Sequence, residues 1–197
     1  MLNGTIQHWC FSLSSLLALY LKDNQLTGSI GELTAYSLQY LFLSNNNLQG
    51  HFPKSIFELQ NLTYLTLSST NLSGVLDFHQ FSKLKNLMFL NLSHNSLLSI
   101  NIDSSTDSIL PNLYELYLTS ANINSFPKFL AQLSHMTALD LSNNNIHGKI
   151  PKWFHKKILQ KWKDIWHIDL SSNKLQVDLP IPPLGIKNFL LSNNNFT

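Results

Sequence analysis

LQYLFLSNNNLQGHFP, Leu38 to Pro53, carries the skeleton L-x-x-L-x-L-x-x-N-x-L-x-G on Leu38, Leu41, Leu43, Asn46, Leu48 and Gly50. The skeleton recurs along the chain, with first positions at Leu16, Leu38, Leu62, Leu87, Leu113, Met136, Ile165 and Ile186. The steps between them are 22, 24, 25, 26, 23, 29 and 21 residues, the period of a leucine-rich repeat. One such match is weak evidence; eight in tandem decide the fold. The expectation is an α/β leucine-rich repeat solenoid. It has a curved parallel sheet on the concave side, with short 3-10 or α helices and irregular turns on the convex side. Residues 1–197 are read as one domain of about eight repeats plus a partial first one, uncapped at both ends.

The spacing has a physical basis. In L-x-x-L-x-L the last two apolar residues alternate, which suits a short strand with one buried face. Neighbouring strands then stack about 4.8 Å apart as a parallel sheet. Asn24, Asn46, Asn95, Asn144, Asn173 and Asn194 follow the strands, where an amide that both donates and accepts can satisfy the turn's backbone. Gly28, Gly50, Gly74 and Gly148 come four residues later and tolerate positive φ. Thr70 and Ala121 interrupt the Asn series, and Ser99, Ser125 and Val177 replace the Gly. Thr70 can still bond through its hydroxyl, but the turn at Ala121 must be held by packing or water.

Composition excludes several function classes. All 13 basic residues are Lys and the formal net charge is +2. Without Arg, bidentate reading of guanine or phosphate is unavailable, so nucleic acid is not an expected partner. One Cys excludes an internal disulfide framework and a Cys-based zinc site. Cys10 aligns with Ile56, Phe81 and Leu130 and reads as the occupant of a buried apolar slot. No apolar run reaches the ~18 residues that a membrane span needs, and no signal peptide is legible at Met1. The eight His are scattered without H-E-x-x-H, and G-x-S-x-G, Walker and G-x-G-x-x-G patterns are missing. Asp140 and Asp169 hold equivalent positions but belong to a common L-D-L-S strand form. No catalytic residue, cofactor or metal site is expected.

Three segments depart from the regular coil. Residues 96–112 read as an enlarged solvated loop, where Asp103 and Asp107 lack calcium-loop spacing. Residues 151–164, PKWFHKKILQKWKD, read as a longer convex-side helix with a basic outer face. Residues 178–189 place Pro180, Pro182 and Pro183 in a stiff return segment ahead of the last strand.

Strand alternation names the side chains of the concave face. One row is Tyr20, Phe42, Thr66, Asn91, Tyr117, Asp140, Asp169 and Leu190; the other is Ala18, Tyr40, Tyr64, Phe89, Glu115, Ala138, His167 and Asn188. Tyr20, Tyr40, Phe42, Tyr64, Phe89 and Tyr117 make an aromatic tract, and Asp140, His167 and Asp169 a later polar surface. Exposed aromatics serve as binding anchors, but neighbouring rings also pack together to stiffen a sheet; the residues alone leave both open. Sequons for N-glycosylation stand at Asn3, Asn61, Asn71, Asn91 and Asn195.

The best copies extend to L-x-x-L-x-L-S-x-N-x-L-x-G-x-I-P, as in LDLSNNNIHGKIP at 139–151. With NLSGVLDFHQFSKLKNL at 71–87, LPNLYELYLTSANINSFPKFLAQL at 110–133 and IDLSSNKLQVDLPIPP at 168–183, the chain resembles plant receptor-like proteins of the disease-resistance type. That resemblance implies a plasma-membrane glycoprotein whose extracellular repeats sense a peptide or protein in defence or development. Signalling in such proteins runs through a partner receptor kinase. Ala121 sits where a Cys is common in the family. The paired-Cys caps, transmembrane helix and further repeats of that family are absent, so the chain reads as an interior ectodomain segment. A soluble inhibitor of a secreted pathogen enzyme, or a truncated paralogue without activity, are the other readings.

Overall fold

Leu41 and Leu43 point one way and Tyr40 and Phe42 the other, so one face of this strand must find cover and the other stays open. The computed structural model describes residues 1–102, 110–176 and 181–196, and repeats this arrangement eight times. Strands Ala18–Tyr20, Tyr40–Phe42, Tyr64–Thr66, Phe89–Asn91, Glu115–Tyr117, Ala138–Asp140, His167–Asp169 and Asn188–Leu190 form one parallel sheet in chain order. Its register aligns the two side-chain rows of the open face residue by residue, from Tyr20↔Phe42 to Asp169↔Leu190.

The return segments carry more regular structure than the irregular turns expected. Strands Asn3–Thr5, Gln25–Gly28, Asn47–His51, Asn71–Asp77 and Leu98–Asn101 form a second parallel sheet, and His147–Lys149 pairs with Lys174–Gln176. The start of the supposed loop 96–112 is thus a strand, with Leu98, Ile100 and Ile102 buried; Asp103 and Asp107 lie outside the described residues. Short 3-10 helices follow at His8–Phe11, Lys54–Glu58, Phe78–Lys83 and Lys128–Gln132.

Between the layers runs a single apolar core. The strand leucines Leu41, Leu65, Leu90, Leu116 and Leu139 are fully buried, and Phe57, Phe81, Phe129 and Phe154 fill the back of four of the coils. Burying each such side chain contributes roughly 1.5–3 kcal/mol. Cys10 is only half-buried, while the neighbouring Phe11 takes the buried position in the first coil.

The helix expected over 151–164 spans Lys152–Gln160, with Pro151 at its N-cap. Phe154 and Ile158 point into the core, and Lys152 and Lys156 face solvent. Trp162, just beyond it, is fully buried and donates its indole N–H to Leu133 O at 3.0 Å. Lys157 Nζ donates to the same carbonyl at 3.2 Å; burial, then the Lys161 charge, lowers its pKa.

Each ladder Asn ties its coil to the one before. Asn46 Nδ2 donates to Leu21 O at 2.9 Å and Leu43 O at 3.0 Å, and Asn46 Oδ1 accepts from Leu26 N at 3.0 Å. Thr70 keeps a place in the series, its hydroxyl 2.6 Å from Asn95 Oδ1 and 3.1 Å from Leu67 O. The turn at Ala121 is held by hydrogen bonds rather than by packing or water alone. Asn122 Nδ2 donates to Ser96 O and Leu98 O, while Ala121 N donates to Asn144 Oδ1.

Candidate functional site

The open face of the eight-stranded sheet begins with a continuous pile of rings. Tyr20 stacks on Phe42 with centroids 4.6 Å apart, Tyr40 on Tyr64 at 5.3 Å, and Tyr64 on Phe89 at 5.8 Å. Phe89 meets Tyr117 at 5.5 Å, and Tyr117 meets His167 at 6.4 Å. Parallel pairing in register produces the first three stacks, because equivalent residues on adjacent strands are one strand spacing apart; Phe89–Tyr117 is a diagonal contact, and Tyr117 reaches His167 across the strand that carries the small Ala138. Tyr20 is exposed; the other five aromatics are half-buried by their neighbours. Rigid rings with one free side are both mutually supporting and available to a ligand.

Two phenols are fixed more firmly. Tyr117 O–H donates to Glu115 Oε2 at 2.9 Å. Desolvation, the Glu115 hydrogen bond and the charges of Glu115 and Asp140 push its pKa well above the usual 10. Tyr114 shares a hydroxyl–hydroxyl hydrogen bond with Tyr64, and burial, then this bond, raises its pKa too. Tyr114 was missed in the sequence because it lies one position before the strand's two open-face residues. Trp166 occupies the same position and packs 5.3 Å from the His167 ring. An aromatic at that register position is the signal for both.

Beyond Tyr117 the surface turns polar. Asp140 and Asp169 are register partners, and His167 lies two residues before Asp169 on the same face, opposite the small Ala138. One donor atom from each of Asp140, His167 and Asp169 lies within 4.8 Å of the others. Ser142 N–H and O–H donate to Asp140 Oδ1 at 2.8 and 2.6 Å, and Ser171 N–H donates to Asp169 Oδ1 at 2.8 Å. His167 Nδ1 is buried and has no hydrogen-bond partner among the described residues. These three residues could hold a cation, which sequence reading did not expect.

Among the sequons, Asn3, Asn61, Asn71 and Asn195 are exposed and Asn91 is half-buried in the open face. Asn61 Nδ2 donates to Tyr36 O at 2.9 Å, and Asn91 Oδ1 accepts from Ser93 N at 3.0 Å.

Leucine-rich repeat family models match residues 37–59 and 111–175. Receptor like protein 27 of Arabidopsis thaliana is 35% identical over 185 residues, covering 83% of this chain and 23% of the relative. Receptor like protein 23 of the same plant is 34% identical, covering 83% and 21%. The chain is a leucine-rich repeat segment of the plant receptor-like protein family. It spans less than a quarter of the length of these curated relatives. Among solved structures, the plant peptide hormone receptor RGFR1 in complex with RGF2 superposes with TM-score 0.82 and 27% identity. That match covers 98% of this chain and 31% of the receptor. The Arabidopsis receptor kinase HAESA, in complex with the peptide hormone IDA and the co-receptor SERK1, gives 0.78 and 27%, covering 98% and 32%. Among the described residues of the receptor-like segment, no helix is long and apolar enough to cross a membrane.

Proposed function

We propose that this segment is a ligand-recognition part of a plant cell-surface receptor-like protein, taking an extracellular peptide or protein on the open face of the eight-stranded sheet. The carrying observation is the ring pile from Tyr20 to Tyr117, an unbroken aromatic surface whose outer side no element among the described residues covers. Such a surface is the material of binding hot spots. The RGFR1 and HAESA ectodomains, each solved with a peptide hormone, support the choice of ligand class. Defence or developmental signalling through a partner receptor kinase belongs to the full-length protein in this reading. The role is binding rather than catalysis. Exposure of Asn3, Asn61, Asn71 and Asn195 supports glycosylation on a secretory route, whereas a glycan on Asn91 would obstruct the binding face.

The test is selection of binders from a displayed library of secreted plant and microbial peptides, followed by affinity measurement against single Ala variants of Tyr40, Phe42, Tyr64 and Phe89. Loss of a central anchor should cost ~2 kcal/mol or more, about thirtyfold in affinity. Selected binders indifferent to all four variants, combined with lowered melting temperatures, would make the ring pile a stiffening device instead.

A further inference from the structure

The polar end of the open face has a composition that the aromatic half does not explain. Asp140 and Asp169 face each other directly across two strands, and among the described residues neither Oδ2 has a hydrogen-bond or ion-pair partner. The ion pairs Lys22–Asp23 and Lys83–Glu58 lie elsewhere in the fold. Glu115 adds a third carboxylate one strand away, turned toward Tyr117. Like charges this close disfavour one another unless a cation stands between them.

His167 supplies what a plain acidic patch lacks. Its ring lies 6.4 Å from that of Tyr117 and 5.3 Å from that of Trp166, its Nδ1 is buried and, among the described residues, unpartnered, and one ring nitrogen lies within 4.8 Å of an oxygen of each carboxylate. Buried polar atoms are normally satisfied, so an unmade bond on the ring that stands beside two carboxylates points to a missing partner. The carboxylates are themselves oriented by Ser142 and Ser171 through their Oδ1 atoms. Supporting hydrogen bonds of this kind fix the ligands of built metal sites.

We propose that Asp140, His167 and Asp169 bind one divalent transition-metal ion, Zn2+ by preference, on the open face of the sheet. An imidazole with two carboxylates suits Zn2+ and disfavours Ca2+ and Mg2+, which take all-oxygen shells. Donor atoms that already lie within 4.8 Å of one another can share one ion at metal–donor distances of about 2.0–2.2 Å after a small adjustment. Three protein ligands leave a coordination position open to the face, available to water or to a carboxylate of a bound partner.

Purified chain, stripped with a chelator, is titrated with Zn2+ by calorimetry and with Co2+ by visible absorption. One saturable Zn2+ per chain is expected, with Co2+ selectively broadening the His167 ring resonances of the unmodified protein. The variants His167→Gln, Asp140→Asn and Asp169→Asn should each weaken Zn2+ binding at least ~10-fold, with circular dichroism unchanged, and equimolar Ca2+ should not compete. No saturable binding, no selective effect on His167, or Zn2+ affinity unaltered in the three folded variants overturns the assignment. Ca2+ displacing Zn2+ overturns it as well.

Discussion

At the residue scale, the coil depends on a few atoms that close its turns. The ladder Asn was legible because its position repeats beside an apolar pattern. The residue just before it was not. Asp23, Asn45, Ser69, His94, Ser120, Asn143, Ser172 and Asn193 all sit at φ between 52° and 59°, a left-handed conformation uncommon outside Gly and least so for Asn, Asp and His. Their varied identities conceal the shared backbone, whereas the glycines five residues on, such as Gly50 at φ 93°, announce a positive φ openly. The rescue of Ala121 by Asn122 was equally hidden, since it depends on which carbonyls a neighbouring amide can reach. The ladder's weight can be measured at Asn46, which is buried and satisfies Leu21 O, Leu43 O and Leu26 N together. Each buried group left unpaired costs about 1–3 kcal/mol. Asn46→Ala should therefore destabilise the chain by several kcal/mol in urea unfolding, and a loss under about 1 kcal/mol would show that water replaces the amide.

At the element scale, strands were easier to read than the segments returning between them. A period-two strand with one buried face writes itself as alternating leucines, but the second sheet lies where side chains are short and mixed, and only LSINI at 98–102 alternates visibly. Helix 151–164 was marked by its aromatic spacing and ended early at Gln160. The open-face rows followed directly from strand register, yet the link between Asp140 and His167 did not, because it joins residues 27 apart through parallel pairing of adjacent strands. The two hydrogen-bonded phenols at strand Glu115–Tyr117 bear on pH stability. Tyr114 and Tyr117 both have folded-state pKa values above the ordinary 10, so the fold favours their neutral forms. That contribution is complete below pH 10 and is lost as pH rises beyond it, where the unfolded chain ionises first. Chemical unfolding across that range should show stability falling above about pH 10, with a shallower fall in the Tyr114→Phe, Tyr117→Phe double variant. An identical slope in the variant would place the alkaline transition elsewhere.

At the scale of the whole molecule, every coil covers its neighbours, so stability is a sum of intrinsic and nearest-neighbour terms. The middle coils have cover on both sides: Leu65, Leu90, Leu116 and Leu139 at equivalent positions are completely buried. At the two margins of the eight-stranded sheet the equivalents Leu19 and Phe189 are only partly buried, and Leu190 is 44% exposed. The last strand, Asn188–Leu190, pairs on one side only, with His167–Asp169. Hydrogen exchange of the purified chain should thus grade along the solenoid rather than follow one global rate. Amides of Asn188–Leu190 should exchange first, those of Ala18–Tyr20 next, and those of Phe89–Asn91 and Glu115–Tyr117 last. The first coil is steadier than the last because Asn24 Oδ1 accepts from Leu2 N at 2.7 Å and strand Asn3–Thr5 pairs with Gln25–Gly28. Uniform exchange of all eight strands would contradict this, since it requires the chain to open as one cooperative unit despite its nearest-neighbour construction.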